Sequence, residues 1–445
     1  MIRRAAALLA LCLCSSVALA AQVTHVATAD SSDWPVEIDF YAGFQYTSES
    51  ANIAREEFQP SGGLILATEM NYQRNTMTMP LRAAVGIWHH LELHVTVPII
   101  IDDKQTWSFS SVSNEQNVTI DKTPALCPEG PPSNGLCSNG QAPPPLVTPA
   151  ANGGNTLPLS SDRGGFQVGN IGIGAAWAAL SEEADDTDPT WVIGFDYAAP
   201  SASVMNPTRV SYGPGAPGTE SAIGDGFHHF QPWTALSKRH GILDPYIEVY
   251  ADLPRASGNV YNNCVAANGV GTYGNTSQQR LNCPQTPGSE WTTWNTQATP
   301  VYIGGFWFGS EFVAYENAKE QQKVAIDLRF ITEYHSAALT YTEMSDLLQA
   351  LTYQQDFARL GGQINLNLRP TKYFQLILSG SILHDTDHWL TNEDLGNPAP
   401  GSSTVLVGSA GQNPNFDFRY DNPGDRFMLQ NSLLWSFTGT LMVSF

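Results

Sequence analysis

The sequence is poor in charge: 14% of its 445 residues are Asp, Glu, Lys or Arg, about half the ~25% usual for soluble domains. Basic residues are the scarcest, with 21 Lys+Arg against 42 Asp+Glu and a net charge of −21. A deficit of that sign argues against a nucleic-acid partner, because binding phosphate chains relies on clustered Lys and Arg. Low charge density combined with 42% hydrophobic residues excludes global disorder. Long apolar runs are also missing. No stretch after the N-terminus approaches the ~18 uninterrupted apolar residues of a membrane-spanning helix. No phosphate-cradling glycine loop occurs with its flanking strand and helix, so no cofactor is expected.

What is present begins with an export signal. Arg3 and Arg4 precede an apolar run from Ala5 to Leu13, and Ala18-Leu19-Ala20 forms a small-residue cleavage site before Ala21. Residues 1–20 therefore read as a signal peptide. Its removal leaves 19 basic residues against 42 acidic ones and takes away Cys12 and Cys14. The four remaining cysteines form two local pairs, Cys127 with Cys137 and Cys264 with Cys283, expected to be bridged in an oxidising compartment.

The strongest periodicity in the mature chain is two, the signature of strands with one apolar face. Val324, Ile326, Leu328 and Phe330 alternate with Lys323, Asp327, Arg329 and Glu333. Similar alternation marks Val36–Tyr46, Leu91–Val97, Trp191–Tyr197, Ile364–Arg369 and Phe374–Ser379. At the C-terminus, Leu433, Trp435, Phe437, Gly439, Leu441, Val443 and Phe445 hold every second position up to the carboxylate. This ending resembles the signal by which outer-membrane β-barrel proteins are recognised by their assembly machinery, with Phe445, Val443, Leu441 and Phe437 as its residues. The fold expected is all-β, an antiparallel transmembrane β-barrel with both termini periplasmic, in the outer membrane of a Gram-negative-type bacterium.

Strands are expected near 36–46, 78–88, 91–100, 166–179, 190–200, 227–238, 243–253, 301–313, 323–335, 355–369, 373–384 and 429–445. That makes about twelve, or fourteen if 62–77 forms an extra hairpin instead of extending the second strand. Short turns then fall on one side, and long connections around 47–77, 101–165, 201–226, 254–300, 336–354 and 385–425 on the other, as in bacterial barrels. Both cysteine pairs lie in long connections. One domain, 36–445, follows a periplasmic stretch, 21–35, placed to sit under or inside the barrel.

Because every backbone group in the bilayer must be paired, the lumen is the place for specific chemistry. Alternation assigns to it Glu37, Asp39, Glu92, His94, Asp196, Glu248, Asp327, Arg329, Glu333, Asn365, Asn367 and Arg369. Carboxylates outnumber guanidiniums there, which disfavours an anion pore.

Residues Leu81–Pro98, spanning Trp88-His89-His90 and Leu91-Glu92-Leu93, resemble a strand–turn–strand pattern of outer-membrane proteins named for the meta-pathway of phenol degradation. Gly169-Asn170-Ile171-Gly172-Ile173-Gly174 is similar to a glycine-rich strand of that family, with Asn170 where Asp is usual. Gly224-Asp225-Gly226 and Pro232–Lys238 resemble its next loop and strand. The resemblance covers about residues 80–250 and implies uptake of aromatic or other hydrophobic compounds, with the outer-membrane lipids and a small-molecule solute as partners. Two alternatives stay open: a passive porin for small hydrophilic solutes, and a structural or adhesive barrel acting through its long loops.

His384, Asp385, Asp387 and His388 gather ligand types for a divalent cation, but in a strand the histidines and the aspartates face opposite ways. No metal is expected unless the chain turns there. His89-His90 and His228-His229 read as interfacial anchors. His335-Ser336 are sequence neighbours on opposite faces, the wrong geometry for a base and nucleophile, and no enzymatic activity is expected.

Overall fold

The computed structural model describes residues 21–29, 36–58, 61–110, 159–163, 165–182, 185, 187–207, 222–266, 269–270, 282–284, 291–317, 319–348, 350–397, 404–405, 409 and 411–445. Twelve antiparallel strands form the wall: β1 Ile38–Phe58, β2 Leu64–Trp88, β3 Leu91–Phe109, β4 Gly172–Leu180, β5 Thr190–Ala198, β6 Phe227–Ser237, β7 Leu243–Asp252, β8 Ile303–Asn317, β9 Gln322–His335, β10 Phe357–Thr371, β11 Phe374–Asp385 and β12 Phe427–Ser444. Each pairs with its sequence neighbour, and β12 pairs back onto β1 from Asp39↔Ser444 to Arg55↔Phe427. The sheet thus has no free edge.

The twelve expected strands are all present. Of the segment 47–77, expected as a long connection, 62–77 extends the second strand, one of the two readings left open for it. The correction is that the first strand also continues, so that β1 and β2 form one ladder from Ile38↔Val85 to Phe58↔Leu64. The alternation simply becomes mixed above the bilayer, where the outer face also meets water. The wall is consequently uneven. β1 to β3 run 21, 25 and 19 residues, whereas β4 to β7 run 9, 9, 11 and 10.

Side-chain parity follows the sequence pattern. Phe40, Leu93, Ile193, Phe308, Leu328 and Leu441 are exposed on the outer face, while Asp39, Glu92, Asp327 and Asn365 are buried within. An apolar belt on a closed sheet is what hydrocarbon requires. Trp88, Trp191, Tyr315, Tyr373 and Phe445 lie beside the short turns and form an aromatic rim of the kind that sits at headgroup level. Trp435 to Phe445 is about the 9–11 residues a tilted strand needs to cross.

Local departures have local causes. Pro98 has no N–H to donate, and the chain opposite it breaks its ladder between Val168 and Gly172, with the Gly169 N–H donating to the Pro98 carbonyl at 2.8 Å. The β2–β3 turn passes through His90 at φ 54°, in the left-handed region.

The long connections pack into the mouth. Met344, Leu347, Leu348, Leu390 and Tyr420 form one core with Ile53, Met70, Tyr72, Trp107, Phe427 and Leu429 of the wall. A second core joins Phe227 to Tyr261, Ala298, Leu339 and Leu351. Each such fully buried side chain contributes roughly 1.5–3 kcal/mol, so these connections hold a fixed cap. Cys264 and Cys283 are bridged in this cap, with Cα atoms 5.5 Å apart. Cys127 and Cys137 lie outside the described residues.

Candidate functional site

At the short-turn end, Ala21–Thr28 lies across the lumen. The backbone N–H groups of Gln22 and Ala27 donate to Glu311 of β8 (3.2 Å) and Glu92 of β3 (2.9 Å). The Gln375 amide of β11 donates to the Gln22 side chain at 2.6 Å, and the Thr24 hydroxyl meets Ser237 of β6 at 2.9 Å. Strands on opposite walls therefore hold the segment. Gly86 makes its passage sterically feasible, since a Cβ there would stand 2.5 Å from the Thr28 carbonyl carbon.

Between this segment and the cap lies a cavity of roughly 530 Å³ whose lining includes Tyr41, Arg82, His94, Asp196, Gln231, Trp233, Glu248, Tyr250, Trp307 and Arg329. Its polar groups form two chains. On one side Arg82 donates to Glu92 (2.5 Å), His94 bridges Glu92 (2.9 Å) and Asp196 (2.5 Å), and the Trp233 indole donates to Asp196 (2.7 Å). On the other, Arg329 donates to the Tyr246 hydroxyl (2.9 Å) and Asp327 (3.0 Å), and Asn365 also donates to Asp327 (2.6 Å). The Arg329 guanidinium lies 4.8 Å from the Trp307 ring centroid, a cation–π contact. Room for the Trp233 ring comes from Gly194, where a Cβ would come within 2.0 Å of it.

All twelve lumen residues expected from alternation point inward or lie at the lumen rim, but they do not form one site. Glu92, His94, Asp196, Glu248 and Arg329 surround the cavity or its network. Asp327 and Asn365 stand behind Arg329. Glu333 sits higher, accepting from Tyr250 (2.5 Å) and meeting His335 (3.1 Å). Glu37, Asn367 and Arg369 belong to the short-turn mouth, and Asp39 is held near it by His25.

Sequence reading missed Tyr41, Trp233, Tyr250 and Trp307, because aromatics on a barrel strand are normally assigned to lipid. Parity with Asp39, Ala235, Glu248 and Glu311 on their respective strands was the available signal. His25 offered none, since its segment has no period.

His384, Asp385, Asp387 and His388 do not converge. Asp385 accepts a two-pronged bond from Arg359 (2.6 and 2.9 Å), and His388 is stacked on Phe357 with centroids 4.2 Å apart. The His384 ring meets the Ser432 carbonyl at 2.6 Å, and Asp387 accepts the Asn431 N–H at 3.2 Å. His229 is a further correction: it faces inward between Asp225 and Asp252, at 2.8 Å from each. His335 stacks on Phe357, while the Ser336 hydroxyl accepts the Tyr302 N–H at 2.9 Å.

No protein-family model and no curated protein matches the sequence. Solved structures that align along most of the chain include an outer membrane channel from Pseudomonas putida F1 (10% identical, TM-score 0.40, 91% of this chain and 95% of that one). A Pseudomonas aeruginosa FadL homologue aligns at 8% identity and TM-score 0.37, over 92% and 90% of the two chains. The Ralstonia pickettii toluene transporter TbuX aligns at 8% and 0.30, over 92% and 89%. Identities of this size carry no residue-level correspondence.

Proposed function

We propose that the protein is an outer-membrane channel that admits small aromatic or otherwise hydrophobic compounds through a constricted, gated lumen. One observation carries this reading: a cavity of roughly 530 Å³ with Tyr41, Trp233, Tyr250 and Trp307 in its lining sits between a segment laid across one end of the lumen and a cap with its own apolar core at the other. A flat ring fits between such aromatic faces, and the flanking Arg82, Asp196 and Arg329 offer hydrogen bonds to a polar substituent. A water-filled porin needs an unobstructed bore. Assembly through the C-terminal Phe445 signal and membership in the family named for the meta-pathway of phenol degradation belong to the same proposal, supported by the segments 81–98, 169–174 and 224–238. The role is transport without catalysis, supported by the different partners of His335, stacked on Phe357, and Ser336, bonded to the Tyr302 N–H.

Planar-bilayer recording tests it against the porin reading. The expected trace is closed or of very small conductance, with saturable uptake of a monoaromatic probe into proteoliposomes. A large ohmic open state, with no uptake of the probe, would sink it.

A further inference from the structure

At the short-turn mouth, His25 of the crossing segment and Glu37 and Asp39 of the wall each offer one donor atom, all within 4.8 Å of one another. Hydrogen bonding between the segment's imidazole and these carboxylates is a single long contact. His25 Nε2 stands 3.4 Å from Asp39 Oδ2, well beyond the ~2.7–2.9 Å of a charge-assisted bond. The other inward histidines hold their carboxylates closer, His94 and His229 at 2.5–2.9 Å and His335 at 3.1 Å. Two ligands about 2.1 Å from a tetrahedral ion, by contrast, lie roughly 3.4 Å apart. Asp39 adds an independent sign. It is fully buried, and its Oδ1 has no hydrogen-bond partner among the described residues, a costly state for a carboxylate unless something positive is meant to meet it.

We propose that His25, Glu37 and Asp39 bind a divalent transition cation, and that the bound ion pins the crossing segment to the barrel wall. One imidazole nitrogen with two carboxylate oxygens suits Zn²⁺ or Co²⁺ better than the all-oxygen shells of Ca²⁺ or Mg²⁺. The Glu37 carboxylate is oriented by the Thr28 N–H at 3.1 Å. Arg369, a cation lining the same mouth, turns its guanidinium toward Gln321 (3.4 Å) and the Lys372 carbonyl (3.3 Å). Glu37 and Asp39 belong to the barrel and His25 to the segment, so the ion is a cross-link between the two. The segment keeps its bonds to Glu92 and Glu311 without it, and folding of the barrel does not depend on it.

The test is a Co²⁺ titration of the full protein in detergent, without a polyhistidine tag. It is followed by the visible absorption of tetrahedral cobalt and then by displacement with Zn²⁺. One ion per chain is expected, with at least tenfold weaker binding in Asp39→Asn and His25→Ala and unchanged binding in His229→Ala. Heat-modifiable gel mobility reports the folded barrel. Should Asp39→Asn fail to fold, His25→Ala decides alone, because residue 25 lies off the wall. Absence of binding to the folded wild type, or full binding in His25→Ala, overturns the proposal.

Discussion

Gly86 and Thr28 touch backbone to backbone: a methyl group on Gly86 would stand 2.5 Å from the Thr28 carbonyl carbon and 2.7 Å from its nitrogen and oxygen. All three neighbours are main chain, so no rotamer change can relieve the clash. Gly86→Val should therefore expel the crossing segment while sparing the barrel, whose ladder at this position already carries a bulge between Gly86 and Trp88. The expected outcome is a several-fold rise in planar-bilayer conductance with unchanged heat-modifiable mobility. Wild-type conductance in that variant would show that the segment does not gate the lumen.

Arg163 and Asp346 form a buried pair inside the cap. The guanidinium donates to both Asp346 oxygens at 2.7 Å, and Ser161 donates a third bond at 2.6 Å. Asp346→Ala would leave the buried guanidinium with the Tyr341 hydroxyl and a more distant carboxylate, Asp103 at 3.9 Å, so the loss should fall at or below the about 3–5 kcal/mol of a fully broken buried pair. Thermal melting should show a lost or earlier cap transition. The double replacement Arg163→Met with Asp346→Leu should recover much of it, since two apolar groups leave no uncompensated charge.

Asp421 gives the cap a pH dependence. Burial pushes its carboxyl well above the usual range, the charges of Glu393 and Asp417 push the same way, and the N–H groups of Asp417 and Glu393 only partly oppose them. The folded cap holds this proton more tightly than the unfolded chain. Its contribution is complete below the unfolded pKa of about 3.9 and declines as pH rises from there through the raised folded value. Protease resistance of the cap should fall across that range, and Asp421→Asn should flatten the profile. An unchanged slope in the variant would assign the dependence to another group.

The Cys264–Cys283 bridge closes a loop with a sequence separation of 19, worth about 3 kcal/mol in the chain-entropy account. Replacing both cysteines by serine should sensitise the cap to protease and leave barrel mobility unchanged. Loss of the folded barrel would mean that the bridge acts during assembly.

Much of the fold was legible because a strand's two faces are written in alternate residues, and the bilayer enforces that alternation without reference to distant contacts. Parity alone placed Glu92, His94, Asp196 and Arg329 inside the lumen. It could not say which of them meet. His94 and Asp196 are 102 positions apart, and only the pairing of β3 with β4 and of β4 with β5 brings them together. The continuation of β1 above the membrane escaped for the complementary reason: beyond the bilayer its outer face is no longer required to be apolar, so the periodic signal fades while the backbone ladder continues.

By itself the sequence determined an antiparallel barrel, the order of its strands and the polar part of its inward set, which follow from local periodicity and from the rule that membrane strands must close. The choice of twelve strands over fourteen and the inward aromatics came from the ladder itself. Tertiary structure decided that the lumen is obstructed. A segment with no period was drawn across it by Glu92 and Glu311, and connections with no regular pattern folded into its mouth around Trp107 and Leu390. Those outcomes depend on side chains that approach only after the ring closes, when the interior first becomes a place in which apolar surface and unpaired N–H groups can be buried.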